Sequence, residues 1–356
     1  MELKQRNSID TRLSKTDTAV LKGIAICGML CWHLFYCPNP CGVQFGAFTH
    51  WICIMGDVCV SAFLFASGYG LSSQFGKCQH SEWGGADIKF VIRRIMKFYS
   101  NYWVILAICL PIGILAFDRP LCESNSILET LKVWGREILA ISGHGAYNAT
   151  WWFNTLIISL YLLFPIWYYG VKYAPLLSLI IAYALNQSSL VKINMDMGIY
   201  TFIFVVGIVM AIHKDRIREG LNKVPVWLLW VICGMAIIIP AIVLPVIDHG
   251  AIYYNGIHLY AILTVGIVLL ILMGIRKLKW TSKFFGILGK HSANIYLMHT
   301  LIFYYWFPEF FYALRYPIAI FGVLMTVCLI ISSGLEFMKE KLGYNKGVNW
   351  LLAKIR

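Results

Sequence analysis

The stretch Leu21–Tyr36, LKGIAICGMLCWHLFY, is apolar almost throughout, with a cation at Lys22 and an imidazole at His33. On an α-helix the eleven steps between them amount to about 1100°, three turns and a small remainder, so both side chains share one face. The rise is roughly 16 Å, which sets His33 near mid-depth of a bilayer if Lys22 stands at its edge. A polar stripe inside lipid requires something polar to face. Around this stretch, 59% of the 356 residues are hydrophobic and 13% charged, and mean hydropathy is +0.70. A soluble domain is about half apolar and a quarter charged, so the composition indicates an all-α, polytopic membrane protein. The net charge of +13 is explained by loops facing the cytoplasm rather than by nucleic acid. The polar, charged first 17 residues argue against a cleavable signal.

Apolar runs fall at residues 18–37, 48–72, 98–117, 151–170, 174–190, 198–213, 226–246, 257–275, 291–308 and 316–337. Lysine and arginine test that count independently, because they accumulate on the cytoplasmic side. With the N-terminus inside, 25 of the 30 fall in inner segments and 5 in outer ones. A missed or added helix would invert every later loop, so ten spans with both termini cytoplasmic is the expectation. The domain layout is then residues 1–17 as an inner N-terminal segment, 18–337 as the transmembrane domain and 338–356 as a basic inner tail. No soluble domain, low-complexity tract or internal repeat is visible. The longest outer segment, Asp118–Thr150, is long enough to fold over a pore mouth and carries His144 and Tyr147.

Of eleven cysteines, Cys27, Cys31, Cys53, Cys59, Cys109, Cys233 and Cys328 lie in apolar runs and read as small packing residues. Cys37, Cys41 and Cys122 fall in outer segments, where bridging stays open. No spacing suggests a metal site.

Ionisable residues inside the spans are costly and mark pathways or catalytic centres. His33, Asp57 and His299 lie well inside. His299 stands roughly 14 Å above Lys290, and Asp57 lies near the middle of the second span, so the three share a level. Plainer readings stand beside this one: an imidazole bonded to a neighbouring carbonyl, a packing kink at Gly56–Asp57, and a snorkelling Lys22. On the inner side, Arg93, Arg94 and Lys97 in VIRRIMKFY suit the phosphates of a cytoplasmic ligand or act as stop-transfer charge. Ser67, Gly68 and Tyr69 end the second span with small residues that let a ligand or backbone come close. Tyr147, Trp151 and Trp152 form an interfacial aromatic belt or a platform for sugar rings.

Over residues 15–337 this pattern resembles the acyltransferase 3 family of integral-membrane acyltransferases. The resemblance is carried by KGIAICGMLCWH, VSAFLFASGYGL, RRIMKFY, WWFNTLIISLYLLFP and LGKHSANIYLMHT, in that order. It implies transfer of an acyl group, commonly acetyl from acetyl-CoA, to a hydroxyl of a sugar or cell-envelope glycan. It assigns Lys22 and His33 to the first motif, Ser67 and Gly68 to the second, Arg94 and Lys97 to the cytoplasmic one and His299 to the last. The chain departs from the pattern at Lys22, where arginine is common, at Lys97 and Ser100, and at Ser61, where a carboxylate is frequent. No extracellular esterase-like domain is appended, as in a stand-alone form.

The combined expectation is a multi-pass O-acyltransferase of a bacterial plasma membrane. His33 is the general base, and His299 comes second and polarises the carbonyl. Asp57 completes the catalytic set. Lys22, Arg93, Arg94, Lys97, Ser67, Gly68 and Tyr69 hold the acyl-CoA donor; His144, Tyr147, Trp151 and Trp152 hold the glycan or lipid-linked acceptor. No permanently bound cofactor is implied. The competing class is a transporter of a small acid or glycan, for which paired intramembrane acids and broken repeated helices are the usual marks.

Overall fold

The computed structural model describes residues 9–77, 85–124, 126–187, 195–247 and 257–355. It is 85% helical, with no strand among the described residues. Helix is the form an apolar chain takes in lipid, because it satisfies its own backbone N–H and C=O groups. The helices are α1 (Lys15–Cys31), α2 (Ala47–Ile54), α3 (Val58–Phe75), α4 (Gly85–Phe117), α5 (Ile127–Ile138), α6 (Trp152–Tyr173), α7 (Pro175–Gln187) and α8 (Met195–Ile212). They continue with α9 (Lys214–Lys223), α10 (Val226–Val243), α11 (Ile257–Met273), α12 (Lys279–Thr300), α13 (Pro308–Ala313), α14 (Pro317–Lys341) and α15 (Tyr344–Lys354). Two π-helical segments extend this set, Trp32–Tyr36 after α1 and Leu301–Trp306 after α12. Each of the ten expected apolar runs overlaps helix among the described residues, and residues 188–190 of the fifth run lie outside them. By length and composition 7 of the described helices can cross a membrane, and α7 and α8 contain shorter apolar helices. The protein is therefore a multi-pass membrane protein.

The chain divides into two units, Met1–Trp32 with Gly46–Gln79 and Pro165–Lys290, and His33–Phe45 with His80–Phe164 and His291–Arg356. In the first, α1, α3, α8 and α11 bury Leu21, Ile26, Leu30, Phe65, Phe204 and Tyr260. Glycine sets how closely the helices approach. A Cβ at Gly68 would strike the Phe204 carbonyl, and one at Gly207 the Phe65 carbonyl, so α3 and α8 meet backbone to backbone. The start of α1 is fixed by a capping box, in which Ser14 Oγ accepts from Asp17 N at 3.0 Å and Asp17 Oδ2 accepts from Ser14 N at 2.9 Å. Arg276 Nη2 pairs with the same Asp17 carboxylate at 3.1 Å.

The second unit contains a helix the apolar pattern passes over. Asp118–Thr150 is not simply a surface loop, because α5 within it runs back along α4. Its last carbonyls are taken up by side chains of α4: Tyr102 Oη donates to Glu137 O at 2.7 Å, Trp103 Nε1 to Ile138 O at 2.8 Å, and Tyr99 Oη to Leu139 O at 2.7 Å. These are the orphan acceptors that any helix C-terminus must satisfy. Among the described residues Cys37, Cys41 and Cys122 form no disulfide.

Candidate active site

Two histidines meet in the second unit. His33 is the second residue of the π segment Trp32–Tyr36, and that segment is held where the Leu34 carbonyl accepts from Tyr312 Oη at 3.0 Å. The α-helical count from Lys22 thus ends at Cys31, two residues before His33. His299 is fully buried near the end of α12. Its Nδ1 lies 2.8 Å from the Tyr296 carbonyl and 3.1 Å from that of Ile295, and its Nε2 lies 3.1 Å from His33 Nδ1. Two carbonyls around Nδ1 require that nitrogen to carry the proton, so Nε2 of His299 accepts. His33 Nδ1–H is then the donor, and His33 Nε2 carries the lone pair, as the hydrogen-bond network assigns it. Both described π segments adjoin this pair; such widened turns recur at functional sites.

A layer of hydroxyls and one amide supports His299. Thr300 Oγ1 lies 3.0 Å from His299 Nε2 and 3.3 Å from Thr150 Oγ1. Thr150 donates its own proton to Asn148 Oδ1 at 2.9 Å, which leaves its oxygen to accept from Thr300. The lone pair of His299 Nε2 is thereby left for His33. Asn148 Nδ2 and Trp151 Nε1 both donate to the Leu297 carbonyl, at 3.4 and 3.0 Å, and Tyr296 Oη donates to Thr150 O at 2.8 Å. Trp151, expected as an acceptor platform, is buried and ties the start of α6 to α12.

The remaining expected site residues are distributed between the units. Asp57, Lys22, Ser67, Gly68 and Tyr69 belong to the first. There Gly68 serves the close approach of α3 and α8, and Tyr69 Oη accepts from Leu13 N at 2.8 Å. Arg93, Arg94 and Lys97 lie on the first half of α4 in the second unit. His144 is exposed and stacks on Trp152, with centroids 5.4 Å apart. Tyr147 is buried; its N–H donates to Glu137 Oε2 at 3.2 Å, beside Ser142 Oγ at 2.7 Å. Burial pushes the Glu137 carboxyl above its ordinary range, against the pull of these hydrogen bonds.

Three groups escaped sequence reasoning. One is the Thr300, Thr150 and Asn148 support. A second joins α4, α12 and α14: Asn101 Nδ2 donates to Asn294 Oδ1 at 3.0 Å, Lys339 Nζ to Asn101 Oδ1 at 2.9 Å, and Asn294 Nδ2 to Ser332 Oγ and Glu336 Oε1, each at 2.9 Å. Its signal is polar residues at helical spacing, Ser332 and Glu336, in an otherwise apolar helix. The third is Arg119, whose guanidinium lies over the rings of Tyr147 and Tyr305.

Neither a curated protein nor a solved structure matches the chain. The family model described as an acyltransferase domain matches residues 17–335, a span that contains the two histidines, every helix from α2 to α13 and most of α1 and α14. The chain belongs to the acyltransferase 3 family.

Proposed function

We propose that this membrane acyltransferase moves acetyl from acetyl-CoA to a hydroxyl of a cell-envelope sugar or polysaccharide, as a ten-span protein of a bacterial plasma membrane with both termini in the cytoplasm. The sidedness rests on the 25 of 30 lysines and arginines that this topology gathers on one side. The chemistry rests on one observation, the 3.1 Å contact between His33 Nδ1 and His299 Nε2.

With its Nδ1 proton committed to His299, His33 presents a basic Nε2. That nitrogen takes the proton of the acceptor hydroxyl as the oxygen attacks the thioester carbonyl. The C–S bond breaks, and the proton passes from His33 to the departing thiolate. Neutral imidazole suits both transfers near pH 7. Both nitrogens of His299 are engaged, so its part in this reading is to orient His33 rather than to polarise the carbonyl. Arg93, Arg94 and Lys97 are the proposed anchors for the donor phosphates. His144 and Trp152 offer faces to the acceptor.

The test is acetyl transfer from radiolabelled acetyl-CoA by the purified protein in lipid nanodiscs. His33→Gln keeps a hydrogen-bonding group but cannot exchange a proton near neutrality. Turnover is expected to fall roughly 10²- to 10⁴-fold with the protein still folded. Near-normal transfer by a stable variant would remove His33 from the chemistry.

A further inference from the structure

Arg119 stands just past the end of α4, where its N–H donates to Gly113 O at 3.0 Å. Its guanidinium carbon lies 3.4 Å from the Tyr305 ring centroid and 4.4 Å from that of Tyr147. Nη2 donates to the Tyr147 carbonyl, and Tyr147 Oη donates back to Arg119 O at 3.2 Å. Nη1 is buried and meets no acceptor, and among the described residues no carboxylate comes within ion-pairing distance of Arg119. Beside it, the Trp306 indole stacks on Phe117 at 5.3 Å, and its Nε1 is also buried without an acceptor. A Cβ at Gly113 would strike Tyr147 Oη and come within 3.7 Å of Trp306 Nε1, so the two aromatic heads converge on one point of α4.

Both unmatched atoms are donors, and one belongs to a cationic guanidinium. A buried donor without an acceptor is costly, more so when ionised. A ligand that relieves both must bring lone pairs rather than protons, as a carboxylate or phosphate does and a neutral hydroxyl does only in part. Arg119, Tyr305 and Trp306 are each half-buried residues, while Nη1 and Nε1 themselves are buried, so a ligand reaches these two donors as the side chains above them shift. Trp306 follows His299 by seven residues in one continuous helical run, at most about 10 Å along the axis. That is the reach of one or two sugar rings from the histidine pair.

We propose that Arg119 and Trp306 bind an anionic group, carboxylate or phosphate, on the acceptor, so that the enzyme selects an acidic sugar. This rests on the reading of His33 as the base of an acyl transfer. Calorimetric titration of the purified protein in detergent with glucuronate, glucose 6-phosphate and glucose tests it. At least one charged sugar is expected to bind about tenfold or more tighter than glucose, the scale of a charge-assisted hydrogen bond. The better of the two identifies carboxylate or phosphate. Arg119→Gln is expected to bring that preference to within about twofold, with Arg119→Lys retaining part of it. Trp306→Phe keeps the ring, loses the N–H and weakens the charged sugar alone by a few-fold. Acetyl-CoA titrated into the same samples reports the donor side separately, so a failure of the acyl-transfer reading is distinguishable. Equal affinity for charged and neutral sugars in the wild type overturns the proposal. So does a folded Arg119→Gln that keeps the preference; if that variant does not fold, Trp306→Phe decides by the same criterion.

Discussion

The two units solve the problem of packing helices in lipid in opposite ways. In the first, helices meet through glycine: Gly68 faces the Phe204 carbonyl, Gly207 faces that of Phe65, and Gly28 and Gly56 face each other. In the second, most contacts named here are hydrogen bonds between side chains or from side chain to carbonyl, from Asn101 and Asn294 near one end to Thr150, Thr300 and the histidines further along. Lipid tails are as apolar as leucine, so neither unit is held by the hydrophobic effect between helices. Backbone contact yields a frame with no tolerance for added volume. Hydrogen bonds yield direction, and an oriented imidazole is what acyl transfer needs. The comparison teaches that substitutions in the first unit act on folding, whereas those near the histidines act on turnover.

The largest expected effect therefore lies in the first unit. Gly68→Leu drives a side chain into the Phe204 carbonyl, a backbone atom that cannot swing aside. Overpacking of about 1–3 kcal/mol at a single site is compounded here by separation of α3 from α8. The variant is expected to lose its monodisperse peak in detergent gel filtration, while His33→Gln elutes as the wild type does. Normal elution and full thermal stability of Gly68→Leu would break the comparison.

Next comes His299, which in the proposed reading orients His33 through their 3.1 Å contact. His299→Phe conserves bulk and removes the acceptor for His33 Nδ1. Losing one orienting hydrogen bond costs about 1–3 kcal/mol, roughly 5- to 150-fold in kcat, with KM for acetyl-CoA unchanged. Because the two residues act in series, adding His299→Phe to His33→Gln should cost nothing further. Additive losses in steady-state kinetics would give His299 a role of its own.

Much of this architecture was legible before any coordinates. Apolar runs, their punctuation and the bias of lysine and arginine reflect the bilayer, which acts on every residue of a span alike. Counting residues put His33, Asp57 and His299 at one level, and of these the two histidines are in hydrogen-bond contact. What stayed hidden depends on local departures from regularity. A π segment carries no periodic signature of its own, so the eleven-residue spacing from Lys22 treated helix and π turn alike. The amphipathic α5 has too many charges, among them Glu129, Lys132, Arg136 and Glu137, to register as a span. Arg119 counted as one of the few positive charges on the predicted outer side, where nothing in the sequence marks a guanidinium with a buried, unmatched N–H. Asn148, Thr150 and Thr300 are ordinary residues whose importance arises only from which side chain stands opposite.

Thr300 provides the smallest effect and the sharpest question. Its hydroxyl lies within reach of both His299 Nε2 and Thr150 Oγ1, at 3.0 and 3.3 Å, yet it has one proton to donate. If that proton goes to Thr150, as the Thr150 donation to Asn148 permits, His299 accepts from His33 and the relay is intact. Thr300→Val then removes a hydroxyl that only supports the layer behind His299. Stability should fall by about 0.5–1.5 kcal/mol, with kcat changed less than about threefold. If instead Thr300 donates to His299, the lone pair is occupied and His33 must bond elsewhere. Valine would then free His299 and reorganise the pair, altering kcat by tenfold or more and shifting its pH dependence. A pH–rate profile of Thr300→Val beside the wild type distinguishes the two arrangements. Superimposable profiles support the proton order drawn here, and a displaced acid limb reverses it, because only a changed environment of the imidazoles moves their titration.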